Sequence, residues 1–145
     1  MNSLCSAYNP GYRVSIPNEH PISISYKAIN LAKGSAFTAT NGFYIKGVTG
    51  SIAGTVKTPG RISVVDSSKL TIKNGGLIIS TNNDVDIRNK TVLTIAKGGI
   101  LRVKNKKVTV YDASVKGNGS IYIGKKGEVK DPKKKIASTI KIVKK

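Results

Sequence analysis

Apolar and polar positions alternate along most of this chain, as at Ile62 and Val64 and again at Leu70 and Ile72. Successive side chains of a β-strand point to opposite faces, so a period of two is typical of strands with one buried face. The alternating segments are rich in Val, Ile and Thr and are separated by Asn, Asp, Ser and Gly. No stretch has the spacing of an amphipathic helix, so we expect an all-β protein with almost no helix.

The alternation repeats at a fixed distance. Residues 62–80 read ISVVDSSKLTIKNGGLIIS, and residues 85–103, 23 positions later, read VDIRNKTVLTIAKGGILRV. A short unit repeated at constant spacing buries its apolar side by stacking on its neighbours. The sequence therefore predicts a short single-stranded parallel β-helix, or β-solenoid, with about three strands in each coil of ~23 residues.

The repeat assigns three sets of stacked strands. They are residues 62–65, 85–88 and 108–111; residues 70–72, 93–95 and 121–123; and residues 77–79, 100–103 and 128–130. Glycines at 75, 76, 98, 99 and 127 predict sharp corners between the second and third sets. Bringing Ile121 above Leu93 requires about five extra residues, which we assign to a loop at 112–119. A degraded earlier copy places the second and third strands at 43–45 and 51–53, followed by a loop at 55–60.

This organisation divides the chain into three parts. Residues 1–42 are expected to form an N-terminal cap or an irregular β segment, 43–130 the solenoid body, and 131–145 a lysine-rich strand or tail. The coil sequences LTIKNGGLIIS and LTIAKGGILRV resemble right-handed parallel β-helices of the pectin-lyase-like and adhesin type, and more weakly the bactofilins, which are small polymerising β-helices. The resemblance covers residues 43–129 and implies stacked coils.

Catalytic chemistry has little support in the sequence. Pectin-lyase-like enzymes carry clustered Asp, Arg or Lys on one sheet, whereas the outward positions here are Ser63, Asp86 and Thr109. His20 has Glu19 beside it, but the repeat places no residue near it that resembles a nucleophile or a metal ligand. The acidic turn at 82–86 lacks the remaining oxygen ligands of a calcium site, and Cys5 is a lone cysteine. We predict no catalytic residue, no metal and no cofactor.

Positive charge is the strongest chemical signal. The chain has 25 Lys and Arg against 7 Asp and Glu, a formal charge of +18, which favours a polyanionic partner or, alternatively, a solubilising surface. Stacking is expected to gather the C-terminal lysines into one polyanion-binding patch. Its candidate residues are Lys104, Lys106, Lys107, Lys125, Lys126, Lys133, Lys134 and Lys135.

The C-terminal segment alternates Ile136, Ile140 and Ile142 with polar residues, so it is expected to close the coil or to pair with another molecule. We therefore expect a non-enzymatic subunit of a larger assembly, such as a virion or a filament, whose partners are copies of itself or other subunits. The alternative is a monomeric polyanion-binding or adhesin-like module for nucleic acid, lipopolysaccharide or acidic glycan. The expected location is a virion or other large assembly, or alternatively the cytoplasm, with no transmembrane segment.

Overall fold

The computed structural model describes residues 13–16 and 19–145, with side chains from residue 19 onward. These residues form a β-solenoid of about six turns and contain no helix. The strands are β1 Arg13–Ile16, β2 Ile22–Ser25, β3 Ala28–Leu31, β4 Ala36–Ala39, β5 Phe43–Lys46, β6 Thr49–Ile52, β7 Thr55–Thr58, β8 Ile62–Val65, β9 Lys69–Ile72, β10 Leu77–Ser80, β11 Val85–Arg88, β12 Val92–Ile95, β13 Ile100–Val103, β14 Lys107–Tyr111, β15 Ser114–Gly117, β16 Ser120–Tyr122, β17 Glu128–Lys130 and β18 Lys141–Val143.

Consecutive strands enter three parallel sheets in turn. Sheet A contains β1, β4, β7, β10, β13, β16 and β18; sheet B contains β2, β5, β8, β11, β14 and β17; sheet C contains β3, β6, β9, β12 and β15. Paired residues are 19 apart at Ala36 and Thr55 but 23 apart at Val85 and Val108, so a coil averages about 21 residues. Neighbouring coils are separated by the spacing of hydrogen-bonded strands, about 4.8 Å.

Aliphatic side chains fill the space between the sheets in continuous columns. In sheet B, Phe43, Ile62, Val85 and Val108 occupy matching positions of successive strands, and each is buried. Burial of one such side chain contributes about 1.5–3 kcal/mol, and each is covered by the residues one coil above and below it. Stability therefore depends on the stack and not on a single coil.

Each coil turns three times, at an A–B, a B–C and a C–A corner named after the sheets they join. The B–C corners are entered by residues with left-handed backbone, among them Asp66 and Asn89, both at φ 54°. Asp and Asn tolerate this conformation better than most residues. The predicted corner glycines at 75, 76, 98 and 99 lie at C–A corners, where Gly75 and Gly98 have φ of 83° and 85°.

The predicted fold class is confirmed, and the first strand set is confirmed in full because β8, β11 and β14 pair in register. The later assignments of the other two sets are wrong. Ile121 pairs with Leu101 in sheet A, and Val115 takes the predicted position above Leu93. The expected loop at 112–119 contains strand β15, since coils shorten here to 22 and then 20 residues and gain no insertion.

Two other segments also belong to a different sheet from the one that the sequence predicted. Strand β17, with Gly127 before it, belongs to sheet B beside β14 and not to the third set. The expected second and third strands at 43–45 and 51–53 correspond to β5 in sheet B and β6 in sheet C, and the expected loop at 55–60 contains β7. The sheets begin before residue 43, with β1 to β4, and continue beyond residue 130, where β18 pairs with β16.

Candidate functional site

Five of the candidate lysines stack in two successive A–B corners. Lys104, Lys106 and Lys107 lie where β13 leads into β14, and Lys125 and Lys126 lie where β16 leads into β17. The two corners are tied together by backbone and amide groups. The Asn105 amide donates to the Ile123 carbonyl (3.0 Å), and the Asn105 side-chain oxygen accepts the Lys126 amide (3.0 Å). These bonds hold the lysines on adjacent rungs.

The end of the chain adds a third rung that the sequence analysis missed. Strand β18 lies above β16, and the Ile123 amide donates to the Val143 carbonyl (3.0 Å), so Lys144 and Lys145 follow into the same corner. Val143 lies 21 residues, or one coil, after Tyr122, and this spacing predicts that the two lysines after Val143 reach the same corner. We call the seven residues of these rungs the lysine corner: Lys104, Lys106, Lys107, Lys125, Lys126, Lys144 and Lys145.

The lysine corner has an excess of positive charge. All seven side chains are exposed, and the ion pairs found among the described residues engage other cations. Asp84, one rung below, lies 3.6 Å from Arg61, and its carboxylate accepts the Lys107 amide (2.9 Å). Asp86 is buried and accepts a 2.7 Å bond from Arg61. The acids in the rung below are thus already occupied by Arg61, Arg88 and backbone. On the corner's own rungs, Glu128 is the register partner of Lys107 and offsets one of the seven positive charges.

The remaining candidates, Lys133, Lys134 and Lys135, lie at a different corner. They follow β17 at the last B–C corner, which leads to an isolated parallel bridge between Val115 and Ile136. Asp131 shapes this turn, because its two carboxylate oxygens accept the Lys135 and Ile136 amides, each at 2.8 Å. The eight predicted lysines therefore form two groups on either side of sheet B, about 10 Å apart across the three residues of β17.

Between the two groups, the outer face of sheet B presents one exposed aromatic ring. Tyr111, at the end of β14, is 51% exposed, and the Lys133 ammonium lies 5.3 Å from its ring centroid. Arg88 is its register partner on β11, and Lys130 lines the same shallow groove. The arrangement places a π surface beside three cations and a groove that also holds Glu128 and Asp131. The sequence did not reveal it because these residues come from three coils.

The three assembly candidates have different environments at the C-terminal end of the stack. Ile140 is 6% exposed and packs in the core, and Ile136 is partly buried against the core. Ile142 continues the inward column above Ile121 but is 46% exposed, because no described strand stacks on β18 at this side. Within the described part of the chain, strands β17 and β18 have one hydrogen-bonded neighbour each and so leave an open edge.

Glu19 and His20, the N-terminal candidates that the structure describes, lie just before β2. Glu19 and His20 are both exposed, and the Asn41 side-chain amide donates to the Glu19 carbonyl. Among the described residues, no three His, Cys, Asp or Glu side chains come together as a ligand set, and Cys5 lies outside that part of the chain. The described ranges also contain no helix of the length and apolarity needed to cross a membrane.

One N-terminal cation is held by its neighbours. The pKa of Lys46 is raised above its ordinary value of 10.5, first by electrostatic attraction and hydrogen bonding to Tyr26 and then by attraction to Asp66. The Lys46 ammonium lies 5.6 Å from the Tyr26 ring centroid and 3.6 Å from the Asp66 carboxylate. These contacts distinguish Lys46 from the members of the lysine corner.

Comparisons with known proteins supply no relative for this solenoid: no family model matches the chain, and neither a curated protein nor a solved structure matches it.

Proposed function

We propose that this protein is a non-enzymatic β-solenoid that binds a linear polyanion through the lysine corner. The observation that carries the proposal is the stacking of seven exposed lysines on three adjacent rungs of one corner. Because the rungs are about 4.8 Å apart, these charges repel one another, and a chain of phosphates or sulfates would relieve that repulsion.

The scaffold supports such binding because the corner is ordered by backbone hydrogen bonds and not by the lysines themselves. The Glu128 amide donates to the Lys106 carbonyl (3.1 Å), which joins the same rungs as the Asn105 bonds. The charged ends of the side chains remain available to a ligand. Lysine acts as a point charge without the planar fork of arginine, so recognition should follow the backbone charge of the polyanion and not its sequence.

A heparin column tests this proposal with two variants of equal charge. The triple variant Lys104→Gln, Lys106→Gln, Lys107→Gln removes three charges from the lysine corner. Its matched control, Lys27→Gln, Lys33→Gln, Lys57→Gln, removes three exposed charges from the N-terminal half.

We expect the first variant to elute at clearly lower salt than the wild type and the control to elute close to the wild type, because local contacts and not net charge govern retention. Equal elution of the two variants would show that only net charge matters and would contradict the proposal. Far-UV circular dichroism of all three proteins verifies that the fold is unchanged.

A second candidate function, assembly through the open C-terminal edge, is supported by Ile142. This residue lies in an inward column yet is 46% exposed, and β17 and β18 each have an unpaired edge. A second copy stacked head to tail would pair these edges in the same parallel direction and cover Ile142. Such stacking would make the protein a structural subunit of a filament or virion.

Sedimentation velocity at several concentrations tests assembly with the variant Ile142→Glu and the control Lys141→Glu on the same strand. Lys141 is exposed on the outer side of β18, so its replacement leaves the end surface intact. We expect concentration-dependent association in the wild type and the control and its loss in Ile142→Glu. A wild type that sediments as a monomer at every concentration excludes this role.

A further inference from the structure

We propose that the polyanion is a single-stranded nucleic acid and that Tyr111 stacks on one of its bases. This inference rests on the proposed function and identifies the class of ligand. The observation behind it is the position of an exposed aromatic ring on the outer face of sheet B, between the lysine corner and the lysines at 133–135.

The surroundings of Tyr111 combine a π surface with cations from three strands or turns. Arg88 precedes it in the same column, and Lys133 lies over the ring at 5.3 Å. Lys130 lines the adjoining groove, together with the acids Glu128 and Asp131. A stacked nucleotide brings its phosphate close to its base, so these cations lie where that phosphate would be. Base stacking on an aromatic ring beside a basic groove is the usual means of binding single strands without sequence preference.

The surroundings of Tyr111 differ from those of the other exposed tyrosines that the structure describes. Tyr44 is 40% exposed on β5 of the same sheet, but three rungs away from β14 and outside both lysine groups. Tyr26 lies at an N-terminal corner beside Lys46 and Asp66. Among the tyrosines that the structure describes, Tyr111 alone is flanked by both lysine groups, which makes Tyr44 a suitable control for the effect of losing an exposed ring.

A nucleotide fits this surface better than a sulfated sugar. Each nucleotide carries one planar ring for each negative charge, whereas a sulfated glycan carries charge without a planar ring. A duplex is also a poor match, because its bases already stack on one another and present only their edges to a protein. The ligand chemistry is therefore an unpaired base followed by phosphates that extend to the lysines on either side of the sheet.

Fluorescence anisotropy with two labelled oligomers tests the inference. One is a deoxythymidine oligomer of about 12 nucleotides, and the other is an abasic oligomer with the same sugar–phosphate chain. We expect the wild type to bind the thymidine oligomer at least about five-fold more tightly, because one stacked base contributes about 1–3 kcal/mol. Tyr111→Leu should abolish that difference without changing binding of the abasic oligomer, whereas Tyr44→Leu and Tyr111→Phe should retain it.

Salt dependence separates failure of the inference from failure of the proposed function. Tyr111→Leu removes no charge and should leave the slope of log affinity against log salt unchanged. Lys125→Gln with Lys126→Gln should reduce the slope by about 0.7 for each lost phosphate contact.

Equal affinity of the wild type for both oligomers, or equal weakening of both by Tyr111→Leu, overturns the stacking inference. An unchanged slope in the lysine variant contradicts the polyanion function itself. Equal weakening of heparin binding by Tyr111→Leu would assign the ring to sugars and also overturn the inference.

Discussion

Replacing Ser68 by alanine and Thr91 by valine should change stability in opposite directions, although the two residues occupy the same position in successive coils. Both precede paired strands of sheet C, where Lys69 pairs with Val92, and both are fully buried. The Ser68 hydroxyl accepts the Val48 amide (3.0 Å) and donates to the Val65 carbonyl (2.8 Å). The Thr91 hydroxyl has no hydrogen-bond partner among the described residues.

The expected magnitudes follow from these bonds. Ser68→Ala leaves the amide of Val48, itself 0% exposed, without an acceptor, which costs about 1–3 kcal/mol. Thr91→Val keeps the shape of the side chain and removes a buried unpaired hydroxyl, so we expect a gain of about 1 kcal/mol. The two variants should therefore differ by about 2–4 kcal/mol in the free energy of unfolding, which is a large part of the stability of a small domain.

Urea unfolding followed by far-UV circular dichroism measures both effects at one pH and salt concentration. The midpoint should fall for Ser68→Ala and rise for Thr91→Val, while the slope of free energy against urea stays constant, which shows that both variants unfold in the same way. Midpoints that shift in the same direction by similar amounts would show that buried hydrogen bonding does not control this position.

Two further predictions concern the corner glycines and an ion pair on sheet B. Gly117→Ala should destabilise the protein by about 2 kcal/mol or more, because Gly117 has φ 109° and an added Cβ would lie 2.2 Å from the Ile95 carbonyl oxygen. Gly75→Ala should lower the free energy of unfolding by only about 1 kcal/mol, because nothing lies within 4 Å of the added Cβ and only the φ of 83° is unfavourable. Equal shifts of the melting temperature in the two variants would contradict the steric argument. Alanine replacements of Arg61 and Asp86 should show a coupling energy of about 1 kcal/mol in a double-mutant cycle, since the 2.7 Å bond joins a buried carboxylate to a guanidinium that is half exposed to solvent. A coupling of zero would show that the pair does not stabilise the outer face of sheet B.

The lysine corner could be predicted only in part from the sequence. Lys104 to Lys107 and Lys125 with Lys126 are close to alternating segments, so stacking of coils already implied that they would meet. Lys133 to Lys135 were assigned to the same patch because the chain carries them soon afterwards, but β17 intervenes and moves them to the next corner. Lys144 and Lys145 join the corner from the chain end because β18 pairs with β16.

The burial of Asp86 is another feature that the sequence pattern does not predict. Its position on an outward face of β11 follows from the alternation with Val85 and Ile87. In the structure it is buried because Arg61 of the preceding corner lies across it, at 2.7 Å from its carboxylate. The alternation identifies which side of a sheet a residue faces, but it contains no information about what another coil places over that side.

The pattern of apolar positions was sufficient for the strand class, the stacking of coils and the register of β8, β11 and β14, because a regular spacing of 23 residues joins those segments. It was not sufficient where coils shorten. All three sheets share the same period of two, so an apolar pair such as Ile121 and Ile123 fits any of them equally well. Only the backbone hydrogen bonds of the folded stack select the partner, and they place Ile121 on Leu101. The fold class is thus a local property of the chain, whereas the surfaces proposed to bind ligands arise from pairings between residues about 21 positions apart.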